Sequence, residues 1–222
     1  MKSTTSVLAT LSLAGLAIAH TDDPKEQDRM GPWSGEGWIK NIDAPLRAGT
    51  FDQDGEITLQ AWLSLSDFGN PSTGNDCWGY VSPSGREYGI VGHSDGTVFV
   101  EVTNPAAPVI IQQVSGPNSL WRDMKVFGEH CYIVSEGGDG IQVVDMTNID
   151  DGVVSHVNTV TTGGTTATHN VVINTDSGYL YRTGGGDNGL RIYDLNANPV
   201  SPTYVGAWTY KYVHDAQVVT YP

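Results

Sequence analysis

With 222 residues and 39% hydrophobic side chains, the chain can bury a sizeable core in one domain or two. A formal net charge of −14 repels phosphate backbones and anionic lipid, which excludes a general nucleic-acid binder and leaves cations, carbohydrate or protein as partners. So acidic a surface also serves solubility alone. The 27 glycines, set among many Tyr, Trp, Val, Ile and Thr, suit short strands joined by tight turns.

Residues 1–19 read as a secretory signal peptide. Lys2 gives a positive start, Val7 to Ile18 form an apolar stretch, and Ala17-Ile18-Ala19 is an A-x-A cleavage site. The apolar run falls short of the ~20 residues that span a bilayer, and no other stretch is long and apolar enough to serve. The mature chain is therefore expected to begin at His20 and to be secreted, extracellular or displayed at the cell surface, with no transmembrane segment. An amino-terminal histidine can hold copper through its amine and imidazole. The sequence Thr21-Asp22-Asp23-Pro24-Lys25-Glu26 reads instead as a flexible polar leader. Residues 20–75 form an N-terminal leader and partial repeat. Within them Asp52-Gln53-Asp54-Gly55-Glu56-Ile57 shares the Asp-Gly core of an EF-hand loop. Alignment puts Thr50 and Ala61 where acidic ligands are needed, so a turn before a strand is expected.

From residue 76 the chain repeats. The first unit (76–118) holds Asp76-Cys77-Trp78-Gly79-Tyr80-Val81, Tyr88-Gly89-Ile90-Val91-Gly92 and Thr97-Val98-Phe99-Val100-Glu101-Val102. The second (119–166) holds Trp121-Arg122-Asp123-Met124-Lys125-Val126, Tyr132-Ile133-Val134-Ser135-Glu136 and Gly140-Ile141-Gln142-Val143-Val144-Asp145. The third (167–211) holds His169-Asn170-Val171-Val172-Ile173, Gly178-Tyr179-Leu180-Tyr181 and Gly189-Leu190-Arg191-Ile192-Tyr193-Asp194. A partial fourth (212–222) opens a strand at His214-Asp215-Ala216-Gln217-Val218-Val219. From Arg122 to His169 is 47 positions and from His169 to His214 is 45. A period in the mid-forties with four strands per unit is that of a β-propeller blade. Fourth strands are expected at Val109–Val114, Val153–Val160 and Pro202–Trp208. Asp95-Gly96, Asp139-Gly140 and Asn188-Gly189 mark turns between second and third strands. The fold class expected is all-β, a β-propeller of ~45-residue four-stranded blades with about three blades and one strand in this chain.

The strands Ile141-Gln142-Val143-Val144-Asp145 and Leu190-Arg191-Ile192-Tyr193-Asp194 look like LVIVD repeats. Around them stand Asn75-Asp76-Cys77-Trp78-Gly79-Tyr80, Ser119-Leu120-Trp121-Arg122-Asp123, Thr168-His169-Asn170 and Tyr212-Val213-His214-Asp215-Ala216-Gln217. Together they resemble the choice-of-anchor B family over roughly residues 20–222. The resemblance implies an exported propeller-like protein with interchangeable C-terminal sorting signals, and it implies no particular activity. It also implies a C-terminally truncated chain, because three blades and one strand fall short of the four to eight that close a propeller.

In a blade the first strand starts at one rim, and the turn between second and third strands returns to it. Two sets of residues should meet there. The strand starts bring Asp76 and Trp78, Arg122 and Asp123, His169 and Asn170, and His214 and Asp215. The returning loops bring His93-Ser94-Asp95, Glu136-Gly137-Gly138-Asp139 and Gly184-Gly185-Gly186-Asp187-Asn188. The candidate ligand-binding residues are therefore His169, His214, Asp215, Asp123, Asn170, Arg122, Asp76 and His93. Of these His169, His214, Asp123 and Asp215 could hold a divalent cation, the one cofactor the sequence suggests. The same recurrence fits polar residues that tie one blade to the next, so both readings stand at this point.

Other chemistry finds little support. There is no G-x-S-x-G elbow, no Gly-rich phosphate loop in a strand-to-helix setting and no Cys-x-x-Cys zinc site. Cys77 and Cys131 fall at opposite ends of their strands, too far apart for a disulfide. Asp145, Asp194 and Glu101 end third strands and should accept hydrogen bonds in the next turn. The tryptophans are expected mainly in packing, with sugar stacking the alternative. The leading expectation is a secreted module with a binding or scaffolding role toward extracellular protein or carbohydrate. The alternative is a secreted metal-dependent enzyme acting at the channel mouth through His169, His214, Asp123 and Asp215. A purely structural piece of a surface protein is the third.

Overall fold

The computed structural model describes residues 60–221. The expected signal peptide, His20 and the expected turn at Asp54-Gly55 lie outside the described residues. Twelve strands follow one another: β1 (Gly74–Val81), β2 (Glu87–His93), β3 (Gly96–Glu101), β4 (Val109–Ser115), β5 (Arg122–Phe127), β6 (His130–Ser135), β7 (Ile141–Asp145), β8 (Ser155–Val160), β9 (Asn170–Asn174), β10 (Tyr179–Thr183), β11 (Leu190–Asp194) and β12 (Thr203–Trp208). They form three four-stranded antiparallel sheets, each a meander in chain order: β1-β2-β3-β4, β5-β6-β7-β8 and β9-β10-β11-β12. The first strands adjoin in succession, β1 against β5 and β5 against β9. The protein is thus all-β. No helix among the described residues is long and apolar enough to cross a membrane.

Strand alternation explains the core. In β6, Cys131 and Ile133 face the first sheet and pack with Tyr88, Ile90, Phe99 and Met124, while the intervening Tyr132 and Val134 face the third and pack with Val171, Leu180 and Tyr193. A sheet buried on both faces reads as a continuous apolar run, which is why β6 and β7 show little polar alternation. The far face of the first sheet is closed by Phe68 from a short 3-10 turn (Leu65–Phe68), packed on Val98 and Val100. Cys131 is one of the buried core side chains and Cys77 is exposed; both are free thiols.

The same backbone device recurs in each sheet. The pairing of third and fourth strands slips by one residue, between Phe99 and Val100, between Val143 and Val144, and between Ile192 and Tyr193. Each slip is a β-bulge that bends the outer strand and increases local twist. The glycines before the third strands have a second cause beyond the turn. A Cβ at Gly96, Gly140 or Gly189 would overlap the carbonyl of Val114, Val160 or Trp208 on the outer strand. Gly140 and Gly189 also have φ of 73° and 89°, a region that side chains disfavour.

Asp145 and Asp194 do accept from the turns that follow, from the Thr147 amide at 2.8 Å and the Asn196 amide at 2.8 Å. Glu101 accepts from the Thr103 side chain in the next turn and pairs in addition with Arg86. Val153 stands outside the strand expected there. Gly152 at φ 80° ends a 3-10 turn (Ile149–Asp151) that buries Ile149, and β8 starts only at Ser155. The strand expected from His214 is also not formed. Residues 212–221 run beside β9 without a ladder, because a first strand takes its ladder from a second strand of its own sheet, and none pairs with them among the described residues.

Gly140→Ala should therefore cost several kcal/mol, since it combines positive φ with a backbone overlap, whereas Gly128→Ala, at positive φ in open space, should cost only about 1 kcal/mol. Urea unfolding of the two variants checks this; equal losses would contradict it.

Candidate functional site

The starts of the first strands and the ends of the second strands lie at one edge of the sheets. Gly74 faces His93, Arg122 faces Ser135 and Asn170 faces Thr183 in the strand registers. The chain before β5 and before β9 is held to the preceding unit by a repeated bond. The Ser119 amide donates to Ser94 O at 2.9 Å, and the Thr168 amide donates to Ser135 O at 2.9 Å. Between β1, β5 and β9 this edge forms an open cavity of about 350 Å³ lined by Asn75, Asp76, Trp121, Arg122, Asp123, His169 and Asn170.

Beneath the cavity Asp123 is buried and fully engaged. Its Oδ2 accepts the Val171 amide of β9 at 2.8 Å; its Oδ1 accepts the Met124 amide at 2.7 Å and Lys125 Nζ at 2.6 Å. Lys125 also reaches Asp76 at 3.7 Å and sits 4.4 Å over the Trp78 ring. Burial pushes the Asp123 carboxyl up to about 7, a shared proton with Asp76 pushes the same way, and Lys125 and the Val171 amide oppose. Asp76 is more open. Its partial burial works against ionisation, but the hydrogen bonds from Asp123 and the Cys77 amide, with the charge of Lys125, outweigh it and hold the carboxyl below its usual value.

Arg122 is a buried brace between sheets. Its Nε donates to His93 O at 3.1 Å and its Nη2 to Pro117 O at 2.6 Å. Burial lowers its pKa to about 10, with Asp95 and Asp139 opposing. His93 is buried too. Its Nδ1 accepts the Asp95 amide at 3.2 Å, and burial lowers its pKa. Equivalent bonds recur deeper in the edge: Gln142 Nε2 donates to Ser115 O at 3.0 Å, and Arg191 Nε to Gly163 O at 2.7 Å.

The histidines meet. The rings of His169 and His214 have centroids 3.9 Å apart, and Trp121 stands 5.5 Å from His169 on another side. Each imidazole has a carboxylate at Nδ1, Glu136 Oε1 at 2.8 Å from His169 and Asp215 Oδ2 at 2.6 Å from His214. Donor atoms of His169, His214 and Asp215 all lie within 4.8 Å of one another. Two contacts hold His214 here. Thr183 Oγ1 donates to His214 O at 2.6 Å, and further along Asn174 Nδ2 donates to Thr220 Oγ1 at 2.9 Å. Gly184, at φ 67°, lies so close that a Cβ would meet His169 Cβ at 2.5 Å.

The predicted residues thus divide into three groups. His169, His214 and Asp215 cluster. Asp76, Arg122, Asp123, Asn170 and His169 line the cavity, Arg122 and Asp123 with hydrogen bonds already made to neighbouring backbone. His93 lines neither, its buried side chain standing apart while its carbonyl accepts from Arg122. Glu136, Lys125 and the cavity-lining Asn75 were not singled out from sequence. Glu136 alone carried a hint, since its loop returns to the rim. No protein-family model matches the chain, and no curated protein matches it.

If Asp123 is protonated more readily when folded than unfolded, the folded state binds the extra proton between the ordinary carboxylate range and about 7. Its contribution to stability then falls as pH rises through that window. The unfolding free energy of the wild type should drop relative to that of Asp123→Asn between pH 4.5 and 7.5, read by urea titration at each pH. A difference that is constant or grows would contradict this.

Proposed function

We propose that the three sheets are consecutive blades of a secreted or surface-displayed β-propeller resembling the choice-of-anchor B family, and that its rim binds a neutral carbohydrate. The repeated four-stranded meander, the adjoining first strands and the mid-forties period support the propeller. The observation that carries the binding reading is the cavity at the strand starts. Trp121 offers a wall, and Asp76 and Asn170 offer a carboxylate and a side-chain amide suited to hydroxyl groups. The net charge of −14 disfavours polyanionic partners.

A metal-dependent enzyme is the second reading, favoured by the clustering of His169, His214 and Asp215. Its expected cast is incomplete, because Asp123 is taken up by backbone amides and Lys125 and stands outside that cluster.

The test is depletion of the purified chain from solution by cellulose, chitin, xylan and mannan. At least one should retain it, and Trp121→Ala or Asn170→Ala should weaken retention about tenfold, which corresponds to about 1.4 kcal/mol. Retention by none of the four, or retention that both variants leave unchanged, contradicts the proposal.

A further inference from the structure

We infer that His169, His214 and Asp215 form a site for one divalent transition-metal ion of the zinc class. The inference concerns the same rim as the carbohydrate reading but does not depend on it, so either can fail alone.

The donors come from two separate stretches of chain, the residue just before β9 and the segment from His214, yet their ligand atoms fall within 4.8 Å of one another. Zinc bound at ~2.0–2.1 Å to nitrogen and ~2.0–2.2 Å to carboxylate oxygen needs donors a little closer than that, a closure within reach of side-chain rotation. Two imidazoles and a carboxylate make a mixed nitrogen and oxygen set. Such a set favours zinc, copper or nickel over calcium and magnesium, which take six or more oxygens or keep their waters.

The second observation is the outer layer. A metal-binding imidazole is oriented by a carboxylate on its other nitrogen, which fixes the tautomer and the ring plane. His169 has that arrangement, with Glu136 Oε1 2.8 Å from its Nδ1, whereas Asp215 Oδ2 stands 2.6 Å from Nδ1 of His214 as a neighbouring donor to the same ion. Nε2 of His169 and Nδ1 of His214 are then the ligand atoms beside the Asp215 carboxylate, and Glu136 is a positioning residue for His169. The third observation is the backbone behind His169. Gly184 approaches so closely that any side chain there would strike His169, and its φ of 67° suits glycine. The close approach is to the His169 Cβ, so it fixes where the side chain leaves the backbone and leaves the ring able to turn toward the ion. Three protein donors leave a fourth position for water or a ligand, as in zinc sites that are not purely structural.

The experiment uses the full chain without a histidine tag and with His20→Ala in every arm, which removes as a rival ligand the histidine expected to become amino-terminal on export. After EDTA treatment and dialysis it is titrated with zinc chloride by calorimetry, with calcium and magnesium chloride in parallel, and bound metal is counted by elemental mass spectrometry. One zinc per chain is expected. His214→Ala should weaken binding at least 100-fold; this side chain is 42% exposed, and circular dichroism should show the fold retained. Glu136→Gln should keep the stoichiometry and weaken binding by about 10–100-fold. Absence of stoichiometric zinc, zinc binding that His214→Ala leaves unchanged, or equal affinity for calcium or magnesium overturns the inference.

Discussion

Each first strand of these sheets has a hydrogen-bonded ladder on one side only. Its other edge carries amides and carbonyls that burial would leave unsatisfied, and an unpaired backbone group is costly. Partners come from side chains of the adjoining sheet. Asp123 on β5 accepts the Val171 amide of β9, and Asn75 on β1 donates to Leu120 O just before β5. Thr183 donates to His214 O in the segment beside β9. The polar residues at successive strand starts answer this need first, and whatever the rim binds is built around it.

That requirement also decides which polar residues remain for function. Asp123 is drawn under the cavity by its amide partners and by Lys125, so its raised pKa reflects burial at a joint between sheets. Arg122 spends its guanidinium on His93 O and Pro117 O. Glu136, His169, His214 and Asp215 belong to a different group, in which side chains partner side chains. The rim therefore has two layers, a joint below and a histidine cluster beside the cavity.

Much of this was legible in the sequence, for reasons specific to each element. The strands of the second unit could be found because a sheet covered on both faces needs apolar residues without a break, as in Tyr132-Ile133-Val134. Gly140 and Gly189 marked the turns because both a positive φ and the carbonyl of the outer strand demand glycine. His169 and His214 could be matched through the repeat period. What the sequence hid was pairing through space. The repeat brought the loop of Glu136 and the strand start at His169 to one edge without picking out that pair, and nothing in the spacing ties Lys125 to Asp123 or Glu101 to Arg86. The segment from His214 carries a strand-like pattern, yet a strand requires a ladder partner, and pattern alone cannot supply one.

The account depends most on the segment around His214 lying against the start of β9, since only that places the two imidazoles together. Ring protons at a centroid separation of 3.9 Å give a strong nuclear Overhauser effect. Assigned spectra of the chain, with His214→Ala to identify the resonance, should show a cross-peak between the ring protons of His169 and His214. Absence of that cross-peak with both resonances sharp would contradict the assembly of the rim described above.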